Sequence, residues 1–428
     1  MVWDAEAFVR FVTQSDCDAC LVSYRGFHAH YVSPTPYAYA RLEGERVREV
    51  REKGCFTANR EDEYASTGGY YFRTAALLRQ ALAHQRQTNA SLNGEFYTSL
   101  TVAALLASQP EADVRVFEIP RFFQWGTPED LVNFEFWERS YAAANRAAGS
   151  QHTAGVDQVL MPMAGLGSRF AGLTPQPKPL IPVAGQAMFA AALASLPRPE
   201  RTVIVALDEM ANAVAGAAPY TNTEVVRLAS TPPGQALSTY AGLDALQPDR
   251  EVLVSACDHG IVLPATRWNA FRQDPQCDAA IFTMAGFPGA GRRPKAYAYV
   301  IPKPGDLGPY PEVARVSVKQ PVSEQPGHDH VLVGTFWFRT AAILRAAIDA
   351  LRAHPVQVNG ELYLDSVFTG LIASGHTVRM LPLDGFICWG EPDTLAEALY
   401  WYETFCARTI VPRPRLPGVA HEVSHAPL

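Results

Sequence analysis

Part of this chain is written twice. The run GGYYFRTAALLRQAL at residues 68–82 returns as VGTFWFRTAAILRAAI at 333–348. NGEFY at 93–97 returns as NGELY at 359–363, and QWGTPEDL at 124–131 as CWGEPDTL at 388–395. Upstream, Cys17-Asp18-Ala19 matches Cys277-Asp278-Ala279, and Tyr37-Ala38-Tyr39 matches Tyr297-Ala298-Tyr299. The order is the same in both copies, so residues 1 to about 145 duplicate roughly residues 268 to 406. A fold for this chain must therefore accommodate one unit twice.

The stretch between the copies, about 156 to 267, occurs once. It alternates short apolar runs with helical text. DQVLMPMAG reads as a strand entering a Gly turn, residues 187–196 as a helix, TVIVAL as a buried strand, GQALSTYAGLDAL as a helix and EVLVSACD as another buried strand. That rhythm predicts a mostly parallel sheet flanked by helices. Ligands of such sheets bind at the carboxyl ends of the strands. The loop after Met163 and the Cys257-Asp258-His259 turn both fall at such ends and are expected to face one crevice. The domain division that follows is a half-domain over 1–148, a complete α/β domain over 156–408 and a flexible tail, rich in Pro and His, over 409–428.

The loop reads Ala164-Gly165-Leu166-Gly167-Ser168-Arg169-Phe170, then Pro177-Lys178-Pro179 and, shortly after, Pro182. Glycines let backbone N–H groups approach an anion and form a concave nest. A dinucleotide fingerprint needs a third glycine where Phe170 stands, and a Walker A loop needs Gly-Lys-Ser/Thr where Gly172-Leu173-Thr174 stands. Neither explains an Arg beside the glycines and a Lys between prolines. A nucleoside triphosphate carries about four negative charges, so cations at the nucleophile and leaving group are required. Arg169 offers a planar fork and Lys178 a point charge. Asp258, after the strand EVLVSAC, is a carboxylate at a strand end, where it can hold Mg²⁺ or cap the turn.

These residues resemble the signature of the sugar-phosphate nucleotidyltransferase family, Gly-x-Gly-Ser/Thr-Arg followed by Pro-Lys-Pro. The resemblance covers about 157–404 in full and 1–140 by its second half. It is strengthened by CDAAIFT, by Lys319-x-Pro321-x-Ser323, by Asn-Gly-Glu-x-Tyr and by Trp-Gly-x-Pro, which point to a capsule-cluster branch. The fold it implies is Rossmann-like, a mostly parallel mixed sheet flanked by helices, preceded here by a duplicated C-terminal half-domain. The activity it implies is transfer of a nucleoside monophosphate from an NTP to a sugar phosphate, giving NDP-sugar and pyrophosphate, for surface polysaccharide synthesis. Arg169, Lys178 and Asp258 would carry the reaction. Ala164, Gly165, Gly167 and Ser168, with the Gly234-Gln235-Ala236 loop, would hold the nucleotide. Lys319, Gly334 and Glu361 would hold the sugar phosphate. The cofactor is Mg²⁺, with Asp258 as one ligand and Asp365 or Glu361 as the second carboxylate; in the first copy Glu95 matches Glu361 while Ser99 stands opposite Asp365. Val318 replaces the Glu expected before Lys319, whereas the first copy keeps Glu52-Lys53.

The first copy retains Glu52, Lys53 and Glu95 but no triphosphate loop, so it is expected to be inactive alone and to pack on the complete domain or across a homo-oligomer. The alternative is that the gene starts upstream of Met1. A net charge of -7 without a basic stripe excludes a nucleic-acid partner. No apolar run approaches the roughly 20 residues of a membrane span. Seven scattered cysteines suggest reduced thiols in a cytoplasmic protein. Cys17 and Cys20 are expected in a buried strand rather than a redox motif. His28-Ala29-His30 and His328-Asp329-His330 are expected in solvated loops. The aromatic clusters Phe134, Phe136, Trp137 and Tyr400, Trp401, Tyr402 are expected to pack a terminal helix. Two other readings compete: a non-catalytic nucleotide-sugar-binding paralogue, and a glycosyltransferase, whose Asp-x-Asp is absent at Asp258-His259-Gly260.

Overall fold

A computed structural model describes residues 3–32, 37–148, 155–355 and 361–406. The proposed tail from 409, and Asn359 and Gly360 of the second NGELY motif, lie outside the described residues. Two compact units divide at Asp130/Leu131.

The first unit opens with α1 (Ala5–Ser15), capped by Asp4, whose carboxylate accepts the Ala7 N–H at 2.9 Å. There follow β1 (Ala19–Tyr24), β2 (Tyr39–Glu43), β3 (Arg46–Arg51), β4 (Tyr64–Phe72), α2 (Ala75–Gln87), α3 (Thr98–Ser108) and β5 (Val114–Glu118). The sheet order is β3-β2-β4-β1-β5, with β5 parallel to β1 and the other pairs antiparallel. Every residue of β1 is buried. Cys17 and Cys20 are fully buried and free, and burial pushes the Cys20 thiol up to about 12, as a strand core requires.

The histidines of this unit depart from expectation. His28 and His30 are buried rather than solvated. His30 Nε2 meets the Tyr24 hydroxyl at 2.8 Å, and both rings stand against Tyr31 within an aromatic cluster. The reason is the neighbouring aromatic surface: an imidazole with its polar edge bonded to a phenol buries like another ring. Burial also lowers the His30 pKa, which keeps the ring neutral.

Helix α4 (Pro128–Ala147) straddles the division, and all but its first residues belong to the second unit. That unit continues with β6 (Gly155–Pro162), the short pair β7 (Pro182–Val183) and β8 (Gln186–Ala187), α5 (Met188–Ala194), β9 (Arg198–Leu207), α6 (Asp208–Ala217), β10 (Thr223–Leu228), α7 (Gln235–Ala241), β11 (Val252–Ser255), β12 (His259–Val262) and α8 (Ala265–Arg272). Then come β13 (Ala279–Met284), α9 (Pro288–Arg292), β14 (Tyr299–Pro302), β15 (Val313–Ser317), β16 (Val331–Phe338), α10 (Ala341–Ala353), α11 (Val367–Ala373), β17 (Val378–Pro382), β18 (Gly385–Cys388) and α12 (Pro392–Phe405).

The main sheet runs β10-β9-β6-β11-β16-β13-β17, with β14 on β16 and β15 on β14. Its first four strands are mutually parallel, and β16 is antiparallel to both β11 and β13. The architecture is thus a mixed α/β sheet flanked by helices. The carboxyl-terminal halves of β6 and β9, and most of β11, are apolar and buried because both faces are covered there. Within this sheet, β15-β14-β16-β13-β17 follows the same order as β3-β2-β4-β1-β5 of the first unit, and β13 slips register against β16 where β1 slips against β4.

The aromatic clusters do pack terminal helices. Phe134 of α4 meets Trp401 of α12 edge-on at 5.5 Å, and Tyr141 donates to the Ala398 carbonyl at 2.7 Å. Beneath them Glu397 is fully buried, held by Arg292 at 2.5 Å and by Asn133 and Trp137 of α4. Four donors on one carboxylate repay its desolvation. Among the described residues no helix is long and apolar enough to cross a membrane.

Candidate active site

Strand β6 delivers the chain into the Gly-rich loop at the carboxyl end of the parallel strands. Ala164 is buried beneath it, while Gly165, Ser168 and Arg169 are exposed. Gly167 sits at φ +61°, and a Cβ there would lie 2.7 Å from Lys178 Cβ. Only glycine meets both conditions, so Lys178 can pack directly under the loop. The flanking Pro177 sets a short helical turn at 178–180 that aims the lysine inward.

The lysine reaches Asp258, which β11 presents after Ser255. Lys178 Nζ lies 2.6 Å from Asp258 Oδ2 and donates to the Gly390 carbonyl at 3.0 Å. The expectation that the loop and the strand-end turn share one crevice is met by this contact. Burial works against both charges, and their attraction outweighs it: Lys178 titrates above its ordinary range and Asp258 well below the usual carboxylate range. His259 supports the carboxylate. Its Nδ1 is 3.6 Å from Asp258 Oδ1, and its Nε2 meets Thr335 Oγ1 at 2.7 Å, which meets Ser255 at 3.0 Å. Gly334 backs the same ring: a Cβ there would stand 3.4 Å from His259 Cε1. Cys257 and Cys388 flank the acid as neutral thiols, pushed up by burial to about 12 and about 11.

A second group assembles around Gly234. At φ +113° its Cβ would fall 2.5 Å from the Leu362 carbonyl oxygen, so glycine alone lets the loop lie on the second NGELY motif. The Ala236 N–H donates to the Leu362 carbonyl at 3.0 Å, and Gln235 opens α7. Lys319 donates to the Tyr363 hydroxyl at 2.7 Å and stands over its ring. Glu361 is exposed. Asp365 is buried, and its Oδ1 has no hydrogen-bond partner. Burial pushes its pKa up to about 6, with the Lys319 charge opposing. Its charged neighbour is thus Lys319, whereas Asp258 faces Lys178 and His259.

Two residues were missed in the sequence. Glu391, just before α12, pairs with Arg169 at 3.3 Å and with Arg293. The repeat carried the signal: Glu391 replaces Thr127, so this acid is absent from the first copy and present in the one that follows the Gly-rich loop. A cavity of about 450 Å³ lies elsewhere, at the amino ends of β6, β9 and β10. The ion pairs Arg201–Glu224 and Arg250–Asp157 line it, and none of the groups above does.

Mg²⁺ keeps several waters and takes one or two protein carboxylates plus phosphate oxygens. Asp258 at an open strand end fits that habit. Among the described residues no three His, Cys, Asp or Glu side chains form an all-protein cage.

Residues 159–352 match the model of the MobA-like NTP transferase domain. No curated protein sequence matches the chain. Among solved structures, a nucleoside-diphosphate-sugar pyrophosphorylase from Vibrio cholerae RC9 is 22% identical at TM-score 0.45, over 56% of this chain and 99% of its own. A UDP-glucose pyrophosphorylase complexed with UDP-glucose is 16% identical at TM-score 0.47, over 58% of this chain and 99% of its own. The inositol-1-phosphate CTP transferase from T. maritima is 14% identical at TM-score 0.44, over 58% and 97%.

Proposed function

We propose that the second unit is a sugar-phosphate nucleotidyltransferase. A phosphate oxygen of the acceptor attacks the α-phosphorus of a nucleoside triphosphate, forming the new P–O bond. The bond from the α-phosphorus to the bridging oxygen breaks, and pyrophosphate leaves with the electron pair. The observation that carries this reading is the meeting of Lys178 and Asp258 at 2.6 Å beneath a glycine loop at the carboxyl end of a parallel sheet. Lys178 and Arg169 neutralise charge on the reacting and leaving phosphates. The loop N–H groups around Gly165, Gly167 and Ser168 cradle the phosphate chain, and Gly234-Gln235-Ala236 borders the base. Lys319, with Gly334 and Glu361, serves the acceptor. No general base is required, because the attacking phosphate oxygen is already ionised.

Bound Mg²⁺ would offset the negative charge of the phosphates. Asp258 would hold it, and the partnerless Oδ1 of Asp365 makes that acid the second candidate. We read the first unit as a copy of the acceptor half, supported by the shared strand order and by Lys53, which donates to Tyr97 at 2.6 Å as Lys319 does to Tyr363. We place the reaction in surface polysaccharide synthesis on the motif resemblance.

The test is Mg²⁺-dependent pyrophosphate release, screened over the four triphosphates with several sugar phosphates. Lys178→Ala and Arg169→Ala should each lower turnover by about 10²-fold or more. Near-normal release by both variants would refute the assignment. Tight nucleotide binding with no release under any substrate pair would favour a binding-only role.

A further inference from the structure

Three positive side chains converge on the two-residue turn that leads into α12. Lys178 donates to the Gly390 carbonyl at 3.0 Å. Arg169 lies 3.3 Å from Glu391 Oε1, and Arg293 pairs with Glu391 Oε2. The two arginines come from different elements, one from the Gly-rich loop and one from the segment after α9. Each takes its own oxygen of a single carboxylate. That is the arrangement two guanidiniums adopt on two oxygens of one phosphate.

We propose that Glu391 is an internal stand-in for a substrate phosphate, occupying in the free chain an anion site whose third cation is Arg293. An incoming polyphosphate displaces the carboxylate and takes over Arg169 and Arg293. The inference rests on the function proposed above and extends its cation set by one residue. Glu391 is suited to the exchange because it has a second partner. Its side chain also accepts the N–H at the third position of α12, and its own N–H donates to Thr394 Oγ1 at 3.1 Å. Released by the arginines, it remains the cap of α12 and is not left bare. The positions of the cations favour displacement over permanent pairing. Arg169 is 65% exposed, so its ion pair is weak and its guanidinium is open to an anion from solvent. The repeat agrees: where the first copy lacks the Gly-rich loop, the same place holds Thr127, which has no charge to mask a cation site.

The experiment is calorimetric titration of pyrophosphate, and of each of the four triphosphates, without divalent metal. The proteins are the full chain, Glu391→Gln, Arg293→Ala and the double variant. Glutamine keeps an oxygen for the cap but removes the charge. We expect Glu391→Gln to bind pyrophosphate roughly 3- to 10-fold more tightly, the worth of releasing two partly exposed ion pairs. Arg293→Ala should weaken binding by a similar factor, and the double variant should lose the gain. Unchanged or weaker binding by Glu391→Gln overturns the inference and leaves the proposed function standing, provided the full chain binds. Absence of binding by every protein overturns both. Tighter pyrophosphate binding by Glu391→Gln, together with no pyrophosphate release by the full chain in the Mg²⁺-dependent screen with sugar phosphates, supports the inference and sinks the proposed function. Full stability of each variant, checked by thermal unfolding, separates these results from misfolding.

Discussion

Asp365 is a buried acid with one oxygen unpartnered, and its cost should be measurable. Burial pushes its pKa up to about 6 in the folded chain, against about 3.9 for an unfolded aspartate. Between these values the folded state binds more protons than the unfolded state, so stability falls as pH rises from about 4 to about 6 and stays low above. Two units of pKa correspond to roughly 3 kcal/mol. Asp365→Asn removes the titration. Its fixed effect on packing and hydrogen bonding is the same at every pH, so the informative quantity is the change in the stability difference with pH. We expect the variant to gain about 2 kcal/mol relative to the parent between pH 4 and pH 7, read from urea unfolding of the second unit. All other titrating groups are shared and cancel. If Asp365 holds a cation, Mg²⁺ at pH 7 should recover part of that difference in the parent and none in the variant. Parallel pH profiles for parent and variant would refute the reasoning, because they would mean that Asp365 does not carry its charge at a penalty.

Gly234→Ala places a Cβ 2.5 Å from the Leu362 carbonyl oxygen at a φ of +113°. Backbone cannot yield as a side-chain tip can, so the loop must leave Leu362; we expect triphosphate affinity to fall at least tenfold, by calorimetry, while far-ultraviolet circular dichroism is retained. Glu397→Ala strips the buried partner from Arg292 and from Asn133 and Trp137 of α4. It should cost about 3–5 kcal/mol of unfolding free energy, and a loss under 1 kcal/mol would show that the buried pair is not holding α4.

Much of the second unit was legible because its signals are local. The apolar runs that became β6, β9 and β11 have no other use in a polar solvent, and Pro177-Lys178-Pro179 beside a glycine loop has few explanations other than anion binding. That Lys178 and Asp258, separated by 80 positions in the chain, face one crevice followed from the rule that both strand ends share an edge; their direct ion pair did not. What the sequence hid was non-local. His28 and His30 stand in turn-like text, and it is the fold that closes the cluster by bringing Phe122, far along the chain, onto His30 and Tyr24. Nothing local marks Glu391, whose partners Arg169 and Arg293 reach it from distant parts of the chain. The extent of α4 was hidden for the same reason. By repeat it closes the first copy, yet Asn133, Trp137 and Tyr141 bond to residues of α12.

The two copies differ most usefully where their polar groups are satisfied. In the first, Ser99 donates to Glu52 and Lys53 donates to Tyr97, so the acid beside the lysine has a partner. In the second, Glu52 is replaced by Val318 and Ser99 by Asp365. The carboxylate has moved from one side of the pair to the other, and a valine has no donor to offer it. The lysine–tyrosine contact survives unchanged, so the surroundings have not collapsed to accommodate the swap. Stability alone favours the Glu–Ser arrangement, because a buried carboxylate oxygen without a donor is penalised. The unpartnered oxygen occurs in the copy that holds Glu391 and follows the stretch bearing the Gly-rich loop and Asp258. The first copy, with its acid already bonded, is built to hold its shape; the second leaves an oxygen open.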